Sequence, residues 1–199
     1  MAGPATARPS SRPSVLRCLV VAVLLIVVLL GLAVLVFWLA VRPKPLEFTV
    51  DGARVRGFNV SGHALDAAFD LTLSAHNRNR RVSVYYDSLE VSVWLDEQSV
   101  AAAEAAPFHQ PRRNVTTLVV APAARGAPLL AAVEKSLKRE RSGGWLGLEV
   151  RVRARIRLKV GAIKTRHYVL WAYCPSVIVR FAASAPAQEF NKVYCDVDI

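Results

Sequence analysis

The sequence predicts a mainly β chain, in which one N-terminal transmembrane helix is followed by an antiparallel β-sandwich with one short α-helix. Three observations predict this class. Residues 18–41 are apolar and uncharged throughout. Several later segments alternate apolar and polar residues, a period of two that is typical of half-buried strands. After the apolar segment, helical spacing appears at residues 128–141. We therefore expect three parts, with boundaries at 1–17, 18–41 and 42–199.

The apolar segment 18–41 predicts an uncleaved membrane anchor. A helix of this length rises about 36 Å, which is enough to cross a hydrocarbon core of about 30 Å. The alternative is a cleaved signal peptide, but its apolar region is shorter and ends in small residues, whereas this segment ends in Trp38-Leu39-Ala40. Cys18, at the membrane edge, is a candidate for acylation; the alternative is a small apolar side chain.

The flanks of the helix differ in composition but do not decide its orientation. Residues 1–17 are Pro, Ser, Ala and Arg with little to bury, so we expect a disordered tail. The cytoplasmic flank of a membrane helix carries more Lys and Arg. Both flanks are basic here, the first through Arg8, Arg12 and Arg17 and the second through Arg42, Lys44, Arg54 and Arg56.

The segment 42–199 is long enough for one domain with its own core. It carries 23 basic and 15 acidic residues, a net charge of +8. This charge favours acidic partners such as anionic lipid or acidic polysaccharide over neutral ones; the alternative is that it serves solubility alone. We expect no nucleic-acid partner.

The first half of the domain predicts a series of strands. Residues 46–50 read as a short first strand that ends at a turn, Asp51-Gly52. Residues 65–76 alternate cleanly. The alternation at 82–95 changes phase at Asp87-Ser88, as a bulge would produce. Further strands are expected at 98–106 and 115–121, separated by a loop at 107–111.

The second half begins with the short helix, for which Pro128 suits the first turn. The clearest strand follows at 148–160, where apolar residues alternate with a row of basic ones. One or two last strands are expected at 165–181. About seven strands at this spacing predict a sandwich similar to immunoglobulin or fibronectin type III domains.

Several stretches resemble one family. Arg42-Pro43 after the helix, the start Pro45 to Val50, an Asn-x-Asn bend before residues 82–87, the segment 108–116, and two C-terminal cysteines all fit it. The chain is similar, over about residues 15–198, to plant late-embryogenesis-abundant group 2 proteins of the harpin-induced, non-race-specific disease resistance-like type. Where that family has Asn-Pro-Asn, this chain has Arg78.

The resemblance implies a plasma-membrane protein with its domain in the apoplast. It implies a role in plant defence or stress signalling through binding, without catalysis. We expect protein partners or acidic cell-wall polysaccharide, and anionic lipid as a further candidate. Alternative functions are lipid binding or membrane tethering by the sandwich, and general stress protection.

Two sequons and two cysteines favour an N-in, C-out orientation. Asn59 and Asn114 begin Asn-x-Ser/Thr sequences, which are glycosylated only on the luminal side. Cys174 and Cys195 lie close to each other in the chain and are expected to form a disulfide in an oxidising compartment. The alternative is two buried thiols.

The strongest chemical feature is a basic ladder on the strand 148–160. Same-face neighbours on a strand lie about 7 Å apart, so the basic side chains would form one positive row suited to a linear polyanion. The alternative is that the charges protect a free edge strand from association. The basic ladder consists of Arg151, Arg153, Arg155, Arg157 and Lys159.

No pattern in the sequence predicts an enzyme. The four histidines show no metal-ligand spacing, and there is no Gly-rich phosphate loop or nucleophile elbow. The pair Asp196 and Asp198 resembles the acidic pair of metal-dependent glycosyltransferases but lacks a nucleotide-binding domain before it. We expect no catalytic residue, no metal and no cofactor.

Overall fold

A computed structural model describes residues 12–41, 44–181 and 190–199, which divide into two compact units, 1–42 and 43–199. The first unit is one helix, α1 (Arg12–Val41). Its segment Val15–Val36 is long and apolar enough to cross a membrane. The helix begins at Arg12, six residues before the predicted span, and disorder of the tail stays a prediction. The rest of the predicted tail lies outside the described residues.

The second unit is built almost entirely of strands. Its one helix among the described residues, α2 (Ala131–Ser142), lies between the seventh and eighth strands. The strands are β1 (Glu47–Ser61), β2 (Ala64–Asn77), β3 (Val82–Leu95), β4 (Gln98–Ala105), β5 (Phe108–Gln110), β6 (Asn114–Val120), β7 (Ala123–Pro128), β8 (Trp145–Val160), β9 (Ile163–Lys164), β10 (Tyr168–Arg180) and β11 (Val193–Asp198).

The strands pair in one antiparallel order, β4-β3-β8-β10-β11-β1-β2-β6, with β5 on β3, β7 on β2 and β9 on β8. The last strand joins the two halves of this sheet. Cys195 of β11 lies opposite Phe48 of β1, and Asp196 lies opposite Tyr173 of β10. The predicted antiparallel β class is confirmed, with more strands than the seven expected.

The two halves of the sheet enclose one apolar core. Phe48 and Tyr86 meet edge to face with ring centroids 6.3 Å apart. On β8 the alternate residues Val150, Val152 and Ile156 are fully buried. Burying a side chain of this size contributes about 1.5–3 kcal/mol, so the alternation on β8 determines which of its faces is inward and which carries the basic ladder.

The predicted turn at Asp51-Gly52 is wrong, because β1 continues through it to Ser61 with a register shift between Val50 and Gly52. The Asp51 carboxylate accepts hydrogen bonds from Thr49 Oγ1 (2.8 Å) and from Ser74 Oγ on β2. The hydrogen bond from Ser74 on β2 keeps this part of β1 extended and paired. The reversal occurs later, at Gly62 and His63, both of which have positive φ, as a tight hairpin turn requires.

Two further boundaries differ from the sequence prediction. Pro128 does not begin the helix, since it pairs with Ala64 as the last residue of β7. The predicted loop 107–111 contains β5, because Tyr85 and Tyr86 of β3 pair with its residues. In both places strand pairing with distant residues overrides the local signal of proline.

Asn77 holds together the chain segments at one end of the sandwich. Its Nδ2 donates to the carbonyl oxygens of Val82 (2.9 Å) and Pro111 (3.0 Å), and its Oδ1 accepts from the Asn79 backbone N–H (3.0 Å). Asn79 in turn makes two hydrogen bonds with the backbone of Lys44, at 2.7 and 2.9 Å. The Asn-x-Asn bend is therefore fixed by its amide side chains, with Arg78 exposed between them.

Candidate functional site

The basic ladder lies on the outer face of β8, which is a central strand. β8 pairs with β3 on one side and with β10 on the other. The ladder therefore does not protect a free edge, and that alternative is wrong. Its five members have three different surroundings, which follow from the residues that β3 and β10 place beside them.

At one end of the ladder, Arg151 is packed between aromatic rings. Its guanidinium lies 3.9 Å from the ring centroid of Trp94 and 5.4 Å from that of Tyr173. It also donates to Glu149 at 3.0 Å. Stacking of a cation on an aromatic face, together with an ion pair, compensates its charge, so Arg151 supports the surface more than it offers charge to a ligand.

Toward the other end, which is Lys159, Arg157 is bound by an acidic side chain. Its Nε and Nη2 atoms donate to the two carboxylate oxygens of Asp87 at 2.8 and 2.5 Å. These hydrogen bonds, with the nearby charge, hold the pKa of Asp87 below its ordinary value. His167 lies 3.3 Å from the same carboxylate. The phase change predicted at Asp87-Ser88 is a register shift in the pairing of β3 with β8.

Between these ends the ladder is open. Arg153 and Arg155 are exposed. The guanidinium of Arg153 lies 5.1 Å from the ring centroid of Trp171, which is itself 51% exposed. Val169, opposite Arg155 on β10, is also exposed. The middle of the face thus combines two exposed positive charges with an exposed aromatic ring, and we call these residues (Arg153, Arg155, Val169 and Trp171) the open patch. Two exposed acids border it, Glu90 opposite Arg153 and Asp198 opposite Trp171.

The apolar and aromatic side chains that β10 places on this outer face were not predicted from the sequence. Val169, Trp171 and Tyr173 alternate along β10 and all face outward. Their period of two was visible, but apolar residues in alternation are normally assigned to the core. The register of β10 against β8 decides that these side chains belong to the outer face.

The predicted disulfide is present between Cys174 and Cys195. It joins β10 to β11, so it lies where the two halves of the sheet meet. Cys18, the candidate acylation site, is an exposed free cysteine on α1. Its acylation stays a prediction.

The two sequons lie on different strands. Asn59 is exposed on β1. Asn114 begins β6 and is partly buried, and its Oδ1 accepts a hydrogen bond from Thr116 Oγ1 at 3.1 Å. Glycosylation of either residue stays a prediction, and exposure favours Asn59.

The histidines lie beside acids or a ring. His63 pairs with Glu134 at 2.5 Å, and His76 lies 3.7 Å from Glu47. His109 packs on Tyr85 with ring centroids 4.3 Å apart. Within the ranges that the structure describes, no three His, Cys, Asp or Glu side chains form a group that could hold a metal ion.

Comparison with known proteins gives the family. A profile described as "Late embryogenesis abundant protein" matches residues 72–170. An uncharacterized protein of Arabidopsis thaliana is 31% identical over 94% of this chain and 85% of its own length. NDR1/HIN1-like protein 3 of the same plant is 30% identical over 87% of this chain and 76% of its own length. This chain belongs to the NDR1/HIN1-like late embryogenesis abundant family.

A further relative matches over a similar extent. NDR1/HIN1-like protein 10 of Arabidopsis thaliana is 29% identical over 87% of this chain and 79% of its own length. A solution structure of an Arabidopsis thaliana protein covers 71% of this chain and 86% of its own, with 10% identity and a TM-score of 0.30. Family membership and the apolar helix together support a stress- or defence-related plant membrane protein.

Proposed function

We propose that this chain is a single-pass plasma-membrane protein whose sandwich lies in the apoplast and binds acidic cell-wall polysaccharide in defence or stress signalling. The observation that carries the proposal is the open patch. Arginines recognise carboxylates, and an exposed Trp171 offers a flat apolar surface to the face of a sugar ring. A linear acidic polysaccharide presents both groups repeatedly.

The cysteines support the assignment of the domain to the outer side of the membrane. Disulfides persist in oxidising compartments and are rare in the cytosol. The bond between Cys174 and Cys195 therefore favours an external domain, as does the exposed sequon at Asn59. An epitope tag after Ile199 should be reached by antibody on intact cells, whereas an N-terminal tag should not. The opposite pattern would exclude the apoplastic assignment.

Binding is tested by retention of the detergent-solubilised full chain on immobilised polygalacturonate. Changing Arg153 and Arg155 to Ala should weaken retention roughly twofold to thirtyfold, since exposed ion pairs contribute about 0.2–1 kcal/mol each. Raising the salt concentration should weaken the retention of the unchanged chain, because salt screens exposed charges. The matched control changes Arg54 and Arg125, which are exposed elsewhere on the domain, and should keep full retention.

Two results would oppose polysaccharide binding. Retention that is insensitive to salt would show that charge does not drive it. An equal loss in the Arg54/Arg125 control would show that only net charge matters and that the open patch has no special role. Capture of an acidic protein through the same two arginines, with no retention on polygalacturonate, would replace the polysaccharide by a protein partner.

A further inference from the structure

The net charge of the domain is concentrated at one end of the sandwich. We call this the basic end: it is where β1 and β3 begin and where β2 and β8 finish. It carries ten basic and four acidic side chains, a net charge of +6, because β11 also finishes there with Asp196 and Asp198. The remaining described residues of 44–199 carry twelve basic and ten acidic side chains, a net charge of +2. The basic members are Lys44, Arg78, Arg80, Arg81, Arg112, Arg113, Arg157, Lys159, Lys164 and Arg166.

Contacts in the structure bring these segments together although they are far apart in the chain. The backbone of Lys44 is hydrogen-bonded to the Asn79 side chain, between Arg78 and Arg80. The backbone N–H of Arg113 donates to the Asn79 carbonyl oxygen at 3.1 Å. On the other half of the sheet, Lys159 of β8 lies opposite Lys164 of β9. The next residue of β8, Val160, lies opposite Val82, where β3 begins.

Two of the four acids of the basic end are paired with arginines of the same end. Glu47 accepts from Arg78 at 2.9 Å, and Asp87 accepts from Arg157. Eight of the ten basic residues are exposed, all except Arg157 and Lys159. The surface therefore presents a dense positive field to solvent, and self-repulsion of this kind is costly unless an anionic partner lies against it.

The chain leaves α1 at this same end. Lys44 is three residues after Val41, and three residues span at most about 11 Å even when fully extended. The basic end therefore contains the first described residue of the domain after α1 and is tied to the helix by a short stretch of chain. We propose that the basic end binds the anionic lipid headgroups of the membrane that α1 spans.

An exposed apolar residue favours lipid over polysaccharide as the occupant. Ile163 follows the turn at Gly161 between β8 and β9, and it is 70% exposed. Its partner across the hairpin is Val160, and the pair Lys159 and Lys164 lies one step along, on the other face. An apolar tip on a hairpin whose other face is basic matches a headgroup layer, where cations meet phosphates and the apolar tip reaches the acyl boundary. A polysaccharide has no such layer.

This inference rests on the proposed membrane anchoring, but not on the side of the membrane or on the open patch. The basic end and the open patch are separate sites, because Arg153, Arg155 and Trp171 lie away from the hairpin on the middle of the sheet. Failure of polygalacturonate retention would leave lipid binding intact, and the reverse also holds.

The test is hydrogen–deuterium exchange of the full chain in nanodiscs. One set of discs contains phosphatidylcholine alone, and the other contains phosphatidylcholine with phosphatidylglycerol. Amides of residues 78–81, 111–114 and 161–164 should exchange several-fold more slowly in the anionic discs. High salt should remove this difference, because it screens exposed charges over a few ångströms.

Two variants and a matched control locate the contact. Changing Arg112 and Lys159 to Glu should reduce the lipid-dependent protection by about fivefold for each basic residue that leaves the surface. Ile163→Gln should reduce it in anionic discs without affecting polygalacturonate retention. The control changes Arg125 and Lys135 to Glu, which alters net charge equally but lies outside the basic end, and should behave as the unchanged chain.

Exchange of the β8 core, around Val150 and Val152, shows whether each variant is folded. Equal exchange of the unchanged chain in neutral and anionic discs overturns the proposal without use of any variant. So does protection in anionic discs that survives high salt. Protection of the same loops in neutral discs by soluble polygalacturonate, with none from anionic lipid, would assign the basic end to polysaccharide and also overturn it.

Discussion

Residues of one type have different roles on this domain because of the side chains beside them. Arg151, Arg153 and Arg157 all face outward from β8, and their alternation alone predicts one uniform ladder. Trp94 and Glu149 compensate the first, Asp87 binds the last, and Arg153 stays accessible beside Trp171. The alternation could be predicted from β8 alone, but the partners come from β3 and β10 through their register.

Asn77 is the buried polar residue whose removal should cost most. Its side chain is fully buried and satisfies three backbone groups of Val82, Pro111 and Asn79. In Asn77→Ala those groups lose their partners, and each buried unsatisfied group costs about 1–3 kcal/mol. Two of these three bonds are buried, so we expect a loss of about 2–6 kcal/mol in the free energy of unfolding of the domain, measured by urea titration with near-ultraviolet circular dichroism.

The control for Asn77 is Asn191→Ala, because Asn191 is an exposed amide of the same type. Surface substitutions of this kind normally change stability by less than about 0.5 kcal/mol. Similar losses in the two variants would contradict the role assigned to the Asn77 side chain.

The ion pair of Asp87 with Arg157 predicts a pH effect with a defined sign. The hydrogen bonds from Arg157 lower the pKa of Asp87 in the folded chain below its ordinary value of 3.8. A lowered folded pKa gives stability that is complete above the unfolded pKa and is lost as the pH falls through the folded one. Asp87→Asn should therefore lower the thermal midpoint by a few degrees at neutral pH and less below pH 3.8.

The measurement is the thermal midpoint of the domain between neutral and strongly acidic pH, compared with Glu104→Gln. Glu104 is an exposed carboxylate, so its neutralisation should leave both the midpoint and its acid branch almost unchanged. An acid branch that is identical in the unchanged chain and in Asp87→Asn would show that this carboxylate contributes no pH-dependent stability.

At the scale of elements, β2 and β8 were predictable because each alternates over its whole length and buries one face. β3, β4 and β6 were predictable too, although their alternation is interrupted, in β3 at Asp87-Ser88. β1 beyond Asp51, β7 and β11 were not, since local turn signals or short length hid them. Their strand state depends on partners distant in sequence, such as Ala64 opposite Pro128. β11 did carry a signal, the alternation of Val193, Cys195 and Val197, but six residues are too few to separate a strand from a tail.

The disulfide fixes β11, the strand that joins the two halves of the sheet. Closing a chain segment with a sequence separation of 21 stabilises a protein by about 3 kcal/mol through the unfolded state. Changing Cys174 and Cys195 to Ser should therefore lower the thermal midpoint by roughly 6–12 °C for a domain of this size. Exchange of β11 amides should become faster than that of β8.

Cys18→Ser is the matched control, because Cys18 is the free cysteine that the structure describes on α1. It should leave the midpoint of the domain unchanged. Reductant should move the unchanged chain toward the double variant. No shift with reductant, although thiol titration of the denatured chain shows the bond to be broken, would contradict the stabilising role.

At the scale of the whole molecule, the composition determines the net charge of the domain, and the chain connections determine where that charge lies. An excess of +8 spread evenly over the domain would serve solubility. Here most of it lies at the end that follows α1 in the chain, since the other described residues of the domain carry only +2. The location of this charge does not follow from the sequence alone, because only the fold brings together the bends at 78–81 and 111–114 and the hairpin at 161–164.

The short connection between α1 and β1 predicts a dependence on linker length. Three residues from Val41 to Lys44 hold the basic end within about 11 Å of the helix, whereas twelve added Gly and Ser residues give a root-mean-square span of about 20 Å. The local concentration of headgroups around the basic end then falls roughly sixfold by volume. The lipid-dependent protection of residues 161–164 in anionic discs should weaken by a similar factor. The same insert appended after Ile199 should have no effect, and a linker variant with full protection would show that attachment to α1 does not promote the contact.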